Sequence, residues 1–360
     1  MQQIRLGFVL SLIFFVLALP ACKEDEEEII NIAWKNNHAK GIIVPLGLLP
    51  GDDSVHQLLH IRLENNQINM LGDYSIKDKT VLFQPLVPLS RGYSYEVLYR
   101  NKLIGRISVP VDANARTPKL VAVYPSRDTV PENLLKMYFQ FSAPMREGEA
   151  LQHIFLLDEH NNTLNGTFLD LNSELWNEER TVLTLWLDPG RIKRDLIPNR
   201  KMGNPLQKGK YYTLIVSDQW KNTEGKTLEQ SLSRKLFVGA RDDESPQPQT
   251  WQLQLPKSAT TTPLSIKAGE SLDYFLLAET ISIADVNNNK VAGTLSIKAK
   301  ERNIAFTPSQ PWKAGRYYLR VSANLEDLAG NNINRPFDRD IIKEREKKET
   351  QFFEKELRIE

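Results

Sequence analysis

Across residues 190–210, seven cations face one acid: Arg191, Lys193, Arg194, Arg200, Lys201, Lys208 and Lys210 against Asp195. Gathered arginines and lysines suit phosphate or carboxylate groups, because the guanidinium fork can donate two parallel hydrogen bonds to either. Arg191, Lys193, Arg194, Arg200 and Lys201 are therefore the candidate ligand-binding residues; the alternative is a loop that packs Ile192, Leu196 and Ile197 against a neighbouring domain and leaves its charges in water. The other chemistry-bearing residues point away from catalysis. Cys22 is the only thiol in the chain, which excludes an internal disulfide and a cysteine-rich metal site. His56 and His60 have the spacing of a zinc helix, but Gln57 stands where a metalloprotease needs its glutamate base. Leu59, Ile61 and Leu63 alternate with His60, Arg62 and Glu64, which predicts a strand that would hold the two histidines ~13 Å apart. Asp285, Asn287 and Asn289 begin like a calcium loop, yet Lys290 occupies the sixth position, where the loop needs glycine, and no distal glutamate follows, so a hairpin turn is expected. Glu326 and Asp327 are paired carboxylates placed in a turn that Gly330 can close. With no GxSxG elbow, serine–lysine pair, P-loop or dinucleotide fingerprint, no catalytic residue, cofactor or metal ligand is expected.

The segment that places these residues is N-terminal. Arg5, the apolar run Leu6–Leu19 and the small Ala21 before Cys22 have the order of a cleaved export signal, residues 1–21. The run is shorter than the roughly 20 residues a membrane span needs. Leu19-Pro20-Ala21-Cys22 resembles the lipobox of bacterial lipoproteins, and Lys23-Glu24-Asp25-Glu26-Glu27-Glu28 resembles the export signal of Bacteroidetes surface lipoproteins. The resemblance implies lipid on Cys22, an acidic tether over residues 22–30, and an outer-membrane lipoprotein exposed at the cell surface. Asp53-Ser54-Val55 and Asp128-Thr129-Val130 resemble the O-glycosylation motif of exported proteins of that group, making Ser54 and Thr129 candidate acceptors.

Removing residues 1–21 leaves 339 residues, enough for two or three domains, with 45 Lys and Arg (46 less Arg5) against 45 Asp and Glu. That balance argues against a nucleic-acid partner, which needs a basic excess. Short alternating runs between turn clusters predict an all-β chain. Leu135, Met137, Phe139 and Phe141, for example, fall on one face of a strand while Lys136, Tyr138 and Gln140 fall on the other.

Internal repetition sets the architecture. Residues 156–168 match 282–295 at an offset of 127, pairing Asp158 with Asp285, Asn162 with Asn289, Gly166 with Gly293 and Thr167 with Thr294. A second signature, apolar-x-Pro followed by an apolar residue, glycine and tyrosine, occurs three times. Its copies are Phe83-Gln84-Pro85 with Leu89, Gly92 and Tyr95; Leu187-Asp188-Pro189 with Leu206, Gly209 and Tyr212; and Phe306-Thr307-Pro308 with Trp312, Gly315 and Tyr318. Each tyrosine opens a strand at a sandwich corner and is read as structural. Proline and glycine lie seven residues apart in the first and third copies and twenty in the second, so the basic segment is an insertion of thirteen. Asp112–Pro118 and Arg241–Gln249 read as linkers. The expected domains are a β-sandwich over 31–112, a second over 118–240 with the basic insertion, a third over 250–342, and a charged C-terminal tail, 343–360, as a terminal helix, a frayed end or a docking segment.

FSAPM at Phe141–Met145, the DxxNN hairpins, the Gly-x-x-Tyr turns and LEDLAGN at Leu325–Asn331 resemble tandem bacterial Ig-like domains of the S-layer type over residues 118–342. The 31–112 unit departs from that pattern, lacking FSAPM and the AGN loop. The resemblance implies tandem Ig-like β-sandwich domains and brings no reaction with it. The expected function is non-catalytic: binding or spacing an anionic glycan, lipid or envelope protein. The alternatives are an accessory enzyme on extracellular polymer, which needs converging carboxylates, and a subunit of an envelope complex.

Overall fold

The computed structural model describes residues 28–49, 55–171, 173–338 and 349–360. Cys22, residues 1–21, most of the acidic tether and Ser54 lie outside them. Among the described residues the chain is all-β: six antiparallel or mixed sheets arranged as tandem Ig-like sandwiches, with helices of one or two turns. No helix among them is long and apolar enough to cross a membrane.

The chain divides into two compact units, one ending at Val109 and the other running from Pro110, with Ser90–Gly92 counted in the second. In the first, one sheet orders the strands Asn31–Lys35, His38–Pro45, Thr80–Pro85 and Gly72–Lys77, and a second orders Leu59–Leu63, Ser94–Tyr99 and Lys102–Ser108. Alternation drives the assembly: Ile42, Val44, Val81 and Phe83 from one sheet meet Leu59, Ile61, Tyr95 and Val97 from the other in a common core. The expected strand at Leu59–Leu63 is present, but His56 belongs to the one-turn helix Val55–Leu58, so the ~13 Å separation along a single strand does not apply.

The second unit holds two sandwiches. The first packs Leu175–Trp176, Val182–Trp186, Lys136–Phe141 and Leu120–Tyr124 against Ile154–Leu157, Tyr211–Val216, Leu232–Val238 and Thr129–Val130. The second packs Gln252–Gln254, Leu264–Lys267, Asn303–Pro308 and Gly293–Lys298 against Ile281–Asp285, Gly315–Ser322 and Phe352–Ile359.

The repeat is visible atom by atom. Asp158 accepts from the amides of His160 and Asn162, both at 2.8 Å, and Asp285 accepts from Asn287 and Asn289 at 2.8 and 2.9 Å. A second pair escaped the sequence pattern because its first residue is not conserved in type: Asn222 accepts from Glu224 and Lys226, just as Asp327 accepts from Ala329 and Asn331. Asn and Asp share the side-chain oxygen that builds such a turn.

The third corner tyrosine is Tyr317, not Tyr318: Tyr317 is buried and its hydroxyl exchanges hydrogen bonds with the backbone of Lys313, as Tyr212 accepts from Gln207. Strand alternation explains the slip, since a one-residue shift moves a side chain to the other face. The segment 343–360 is not simply a tail either. Phe352–Ile359 pairs along its whole length with Gly315–Ser322, burying Leu357 and Ile359. It is the counterpart of Leu232–Val238. An offset of 105 between Tyr212 and Tyr317 becomes 121 between Leu236 and Leu357, so the connection to the final strand is sixteen residues longer than in the preceding sandwich. Its exposed Glu354, Glu356 and Arg358 are the charges that protect an edge strand from pairing with another chain.

Candidate functional site

The thirteen-residue insertion is a built element. Asp188 caps its first turn by accepting from Gly190, and Pro189–Ile192 and Ile197–Met202 are short helices, each with proline in its first turn. Arg191 donates to three carbonyls, Gly166, Gly203 and Asn204, at 2.7, 3.1 and 3.2 Å. Asn199 ties the second helix back to the Arg191 carbonyl and the Asn204 side chain. Ile192 enters the sandwich core.

The five candidate residues separate into two groups. Arg191 is spent on the insertion's own carbonyls. Lys193 lies over the Phe337 ring at 4.4 Å, and Arg194 pairs with Asp338 at 2.8 Å and Asp243 at 3.3 Å. Arg241 joins the same two acids. Arg200 and Lys201 remain in solvent; Arg200 makes only a loose 3.8 Å pair with the exposed Asp195. The structure therefore does not bring the five together as one anion pocket.

The two sandwiches of the second unit are joined through the face of Lys136–Phe141 opposite its core. That face, which carries Lys136, Tyr138 and Gln140, is covered by the next sandwich. Lys136, 10% exposed in its side chain, pairs with Asp273 at 3.0 Å and Glu326 at 2.8 Å, and the Tyr138 hydroxyl donates to Asp273 at 2.7 Å. Asp273 also caps the helix Tyr274–Thr280 through the amides of Phe275 and Leu276. Burial by itself would lower the Lys136 pKa, but the two carboxylates hold it above the usual lysine value. The rings of Tyr124 and Tyr274 stack at 3.7 Å, and the Leu135 amide donates to the Leu328 carbonyl. Gly330, at φ +80°, keeps this approach open, since a Cβ there would collide with Leu135. The 241–249 segment, read as a linker, is instead pinned: Asn133 exchanges bonds with the Asp242 backbone, and Asn331 donates to the carbonyls of Asp242 and Glu244.

Beside this junction Asp242, Glu270 and Asp327 bring carboxylate oxygens within 4.8 Å of one another, a donor set that could share protons or hold a cation. Asp242 and Glu270 line a cavity of about 380 Å³ with Arg127, Thr129 and Ser271. Burial first, then repulsion from Asp242, pushes Asp327 up to about 8; burial, then Asp242 and Glu244, pushes Glu270 up to about 7; and burial raises Asp242. The grouping was hidden in the sequence because its members come from a linker, a strand end and a turn. Two of the three already have work: Asp327 accepts from Ala329 and Asn331, and Asp242 from Glu244. These raised values carry a sign. Folded carboxylates that keep protons longer than unfolded ones favour the native state below about pH 4, and lose that contribution as pH rises through about 7 to 8. The second unit is expected to melt at higher temperature at pH 5 than at pH 8.5, and Glu270→Gln should flatten the difference, as read by thermal unfolding.

Thr129 is exposed beside this cavity on a two-residue strand whose backbone pairs with Phe237. Its modification remains a proposal that intact mass of native material would decide.

No family model matches the chain, and no curated protein matches it. Among solved structures it is similar to the bacterial S-layer protein SbsC, at 14% identity and a TM-score of 0.23 over 57% of this chain, and spans 24% of that protein's length. It is also similar to the MG0-NIE-MG1 part of Escherichia coli alpha-2-macroglobulin, at 10% identity and 0.23 over 58% of this chain and 67% of the other. A third similarity is to the FN1-FN3 domains of chicken CNTN1, at 11% identity and 0.19 over 84% of this chain and 93% of the other.

Proposed function

We propose that the chain is a lipid-anchored, non-catalytic lipoprotein of the outer membrane, displayed at the cell surface. In this reading its Ig-like sandwiches act as a rigid spacer that presents the basic insertion to an envelope or extracellular partner. The observation that carries the spacer reading is the buried Lys136–Asp273–Glu326 network, which fixes one sandwich to the next through groups that tolerate little movement. The lipobox sequence and the acidic stretch after Cys22 support the anchor.

The anchor is tested at Cys22, since thioether formation needs its sulfur. Cys22→Ser is expected to abolish fatty-acid labelling and membrane partitioning; unchanged labelling would sink the lipoprotein reading. Replacing Glu24–Glu28 with alanine should keep the lipid and reduce cleavage by external protease.

The accessory-enzyme alternative draws support from Glu270 in its cavity. It is weakened by the engagement of Asp242 and Asp327 in their own turns, which leaves one carboxylate where polymer hydrolysis uses two.

A further inference from the structure

The tip of the insertion breaks the pattern of the rest of its surface. Leu196, Ile197 and Met202 are 44%, 68% and 58% exposed, grouped within seven residues at the point farthest along the added loop from its two strands. Arg200 and Lys201 stand among them, also exposed. In the helix Ile197–Met202, positions 197, 200 and 201 share one face by the three- and four-residue rule. Disorder does not account for the exposure, because Arg191 at the base and Asn199 within the tip hold the loop with five hydrogen bonds to Gly166, Gly203, Asn204 and Arg191 itself. A chain that anchors a loop so firmly and then leaves three large apolar side chains in water gains nothing for its own stability from them.

We infer that this tip, Leu196, Ile197 and Met202 with Arg200 and Lys201, docks on an anionic lipid surface. The inference rests on the proposed role of the insertion as the contact element and narrows its partner. Apolar side chains that enter the headgroup boundary, rimmed by cations that meet phosphate, are the composition of an interfacial anchor. A soluble glycan offers no apolar phase for isoleucine and methionine. A protein partner is more often gripped by tryptophan or tyrosine, and the tip has neither. The charge is one-sided as well, with Asp195 the only acid in residues 190–210. Arg191, Lys193 and Arg194, by contrast, are occupied within the chain and serve to hold the tip rather than to meet the lipid.

The test uses the mature chain, residues 22–360, carrying Cys22→Ser, so that neither an acyl group nor the apolar run Leu6–Leu19 can supply the binding. It is sedimented with vesicles of phosphatidylglycerol and phosphatidylethanolamine, and with vesicles of phosphatidylcholine alone. Binding to the anionic vesicles is expected, falling about tenfold or more in Arg200→Glu/Lys201→Glu and in Ile197→Asp/Met202→Asp. Both variants should keep the parent's melting temperature, because the changed side chains are in solvent. Equal binding by parent and variants, or none by the parent, would overturn the inference. If the parent ignores vesicles but is retained by dextran sulfate through Arg200 and Lys201, the membrane inference fails while the insertion stands as an anion contact. If it ignores both, the insertion reading fails too. Fatty-acid labelling at Cys22 reports on the anchor independently of either result.

Discussion

Lys136→Ala is expected to destabilise the second unit by about 3–5 kcal/mol, because it strands the buried Asp273 carboxylate and leaves Glu326 facing it without a cation. Only 3% of the Asp273 side chain reaches solvent, so water cannot replace the lost ammonium. Urea denaturation followed by tryptophan fluorescence would read the shift, and an unchanged slope would assign it to the native state. Lys136→Met combined with Asp273→Asn should recover part of the loss, since the carboxamide oxygen can still accept from the helix amides while its NH2 donates to the Tyr138 hydroxyl oxygen, with no unpaired charge at that position. A single Lys136→Ala variant as stable as the parent would mean that the two sandwiches are not held by this network.

Tyr317→Ala should cost about 3 kcal/mol, through loss of a buried ring packed edge-on against Trp312 at 5.2 Å and of the corner hydrogen bonds to Lys313. Tyr317→Phe isolates the hydroxyl and should cost about 1 kcal/mol. Tyr318→Ala should cost clearly less than Tyr317→Ala, because that ring is only half-buried. Equal losses at the two positions would restore the one-residue-shifted alignment of the corner.

Most of the sandwich framework is legible in the sequence because it depends on period-two alternation and on turn chemistry. Phe83, Leu187 and Phe306, which precede the three prolines, are all buried, as are Leu89, Leu206 and Trp312. The Asp158 and Asp285 turns follow directly from their shared residues. The junction between sandwiches was not legible. Lys136 and Tyr138 alternate with core residues just as solvent-facing residues do, and no local pattern distinguishes water from a neighbouring domain. Asp273 before an apolar run signals a helix cap, but not the lysine that reaches it from 137 residues away. The final strand was obscured by composition, since Glu354, Lys355, Glu356 and Arg358 outweigh Leu357 and Ile359 in any count of charge, whereas their alternation does mark an edge strand. For the insertion, length and charge were readable, but the division between bracing and exposed cations depends on Asp243 and Asp338, which lie far along the chain.

The claim that the second unit is a rigid spacer is tested most directly by a distance distribution across the junction. Spin labels at exposed positions on the two sandwiches, Glu178→Cys and Lys290→Cys in a Cys22→Ser background, would be read by pulsed electron paramagnetic resonance. A junction fixed by Lys136 gives a single narrow distribution that broadens when Lys136→Ala is added. A broad distribution in the parent, unaffected by that substitution, would contradict it.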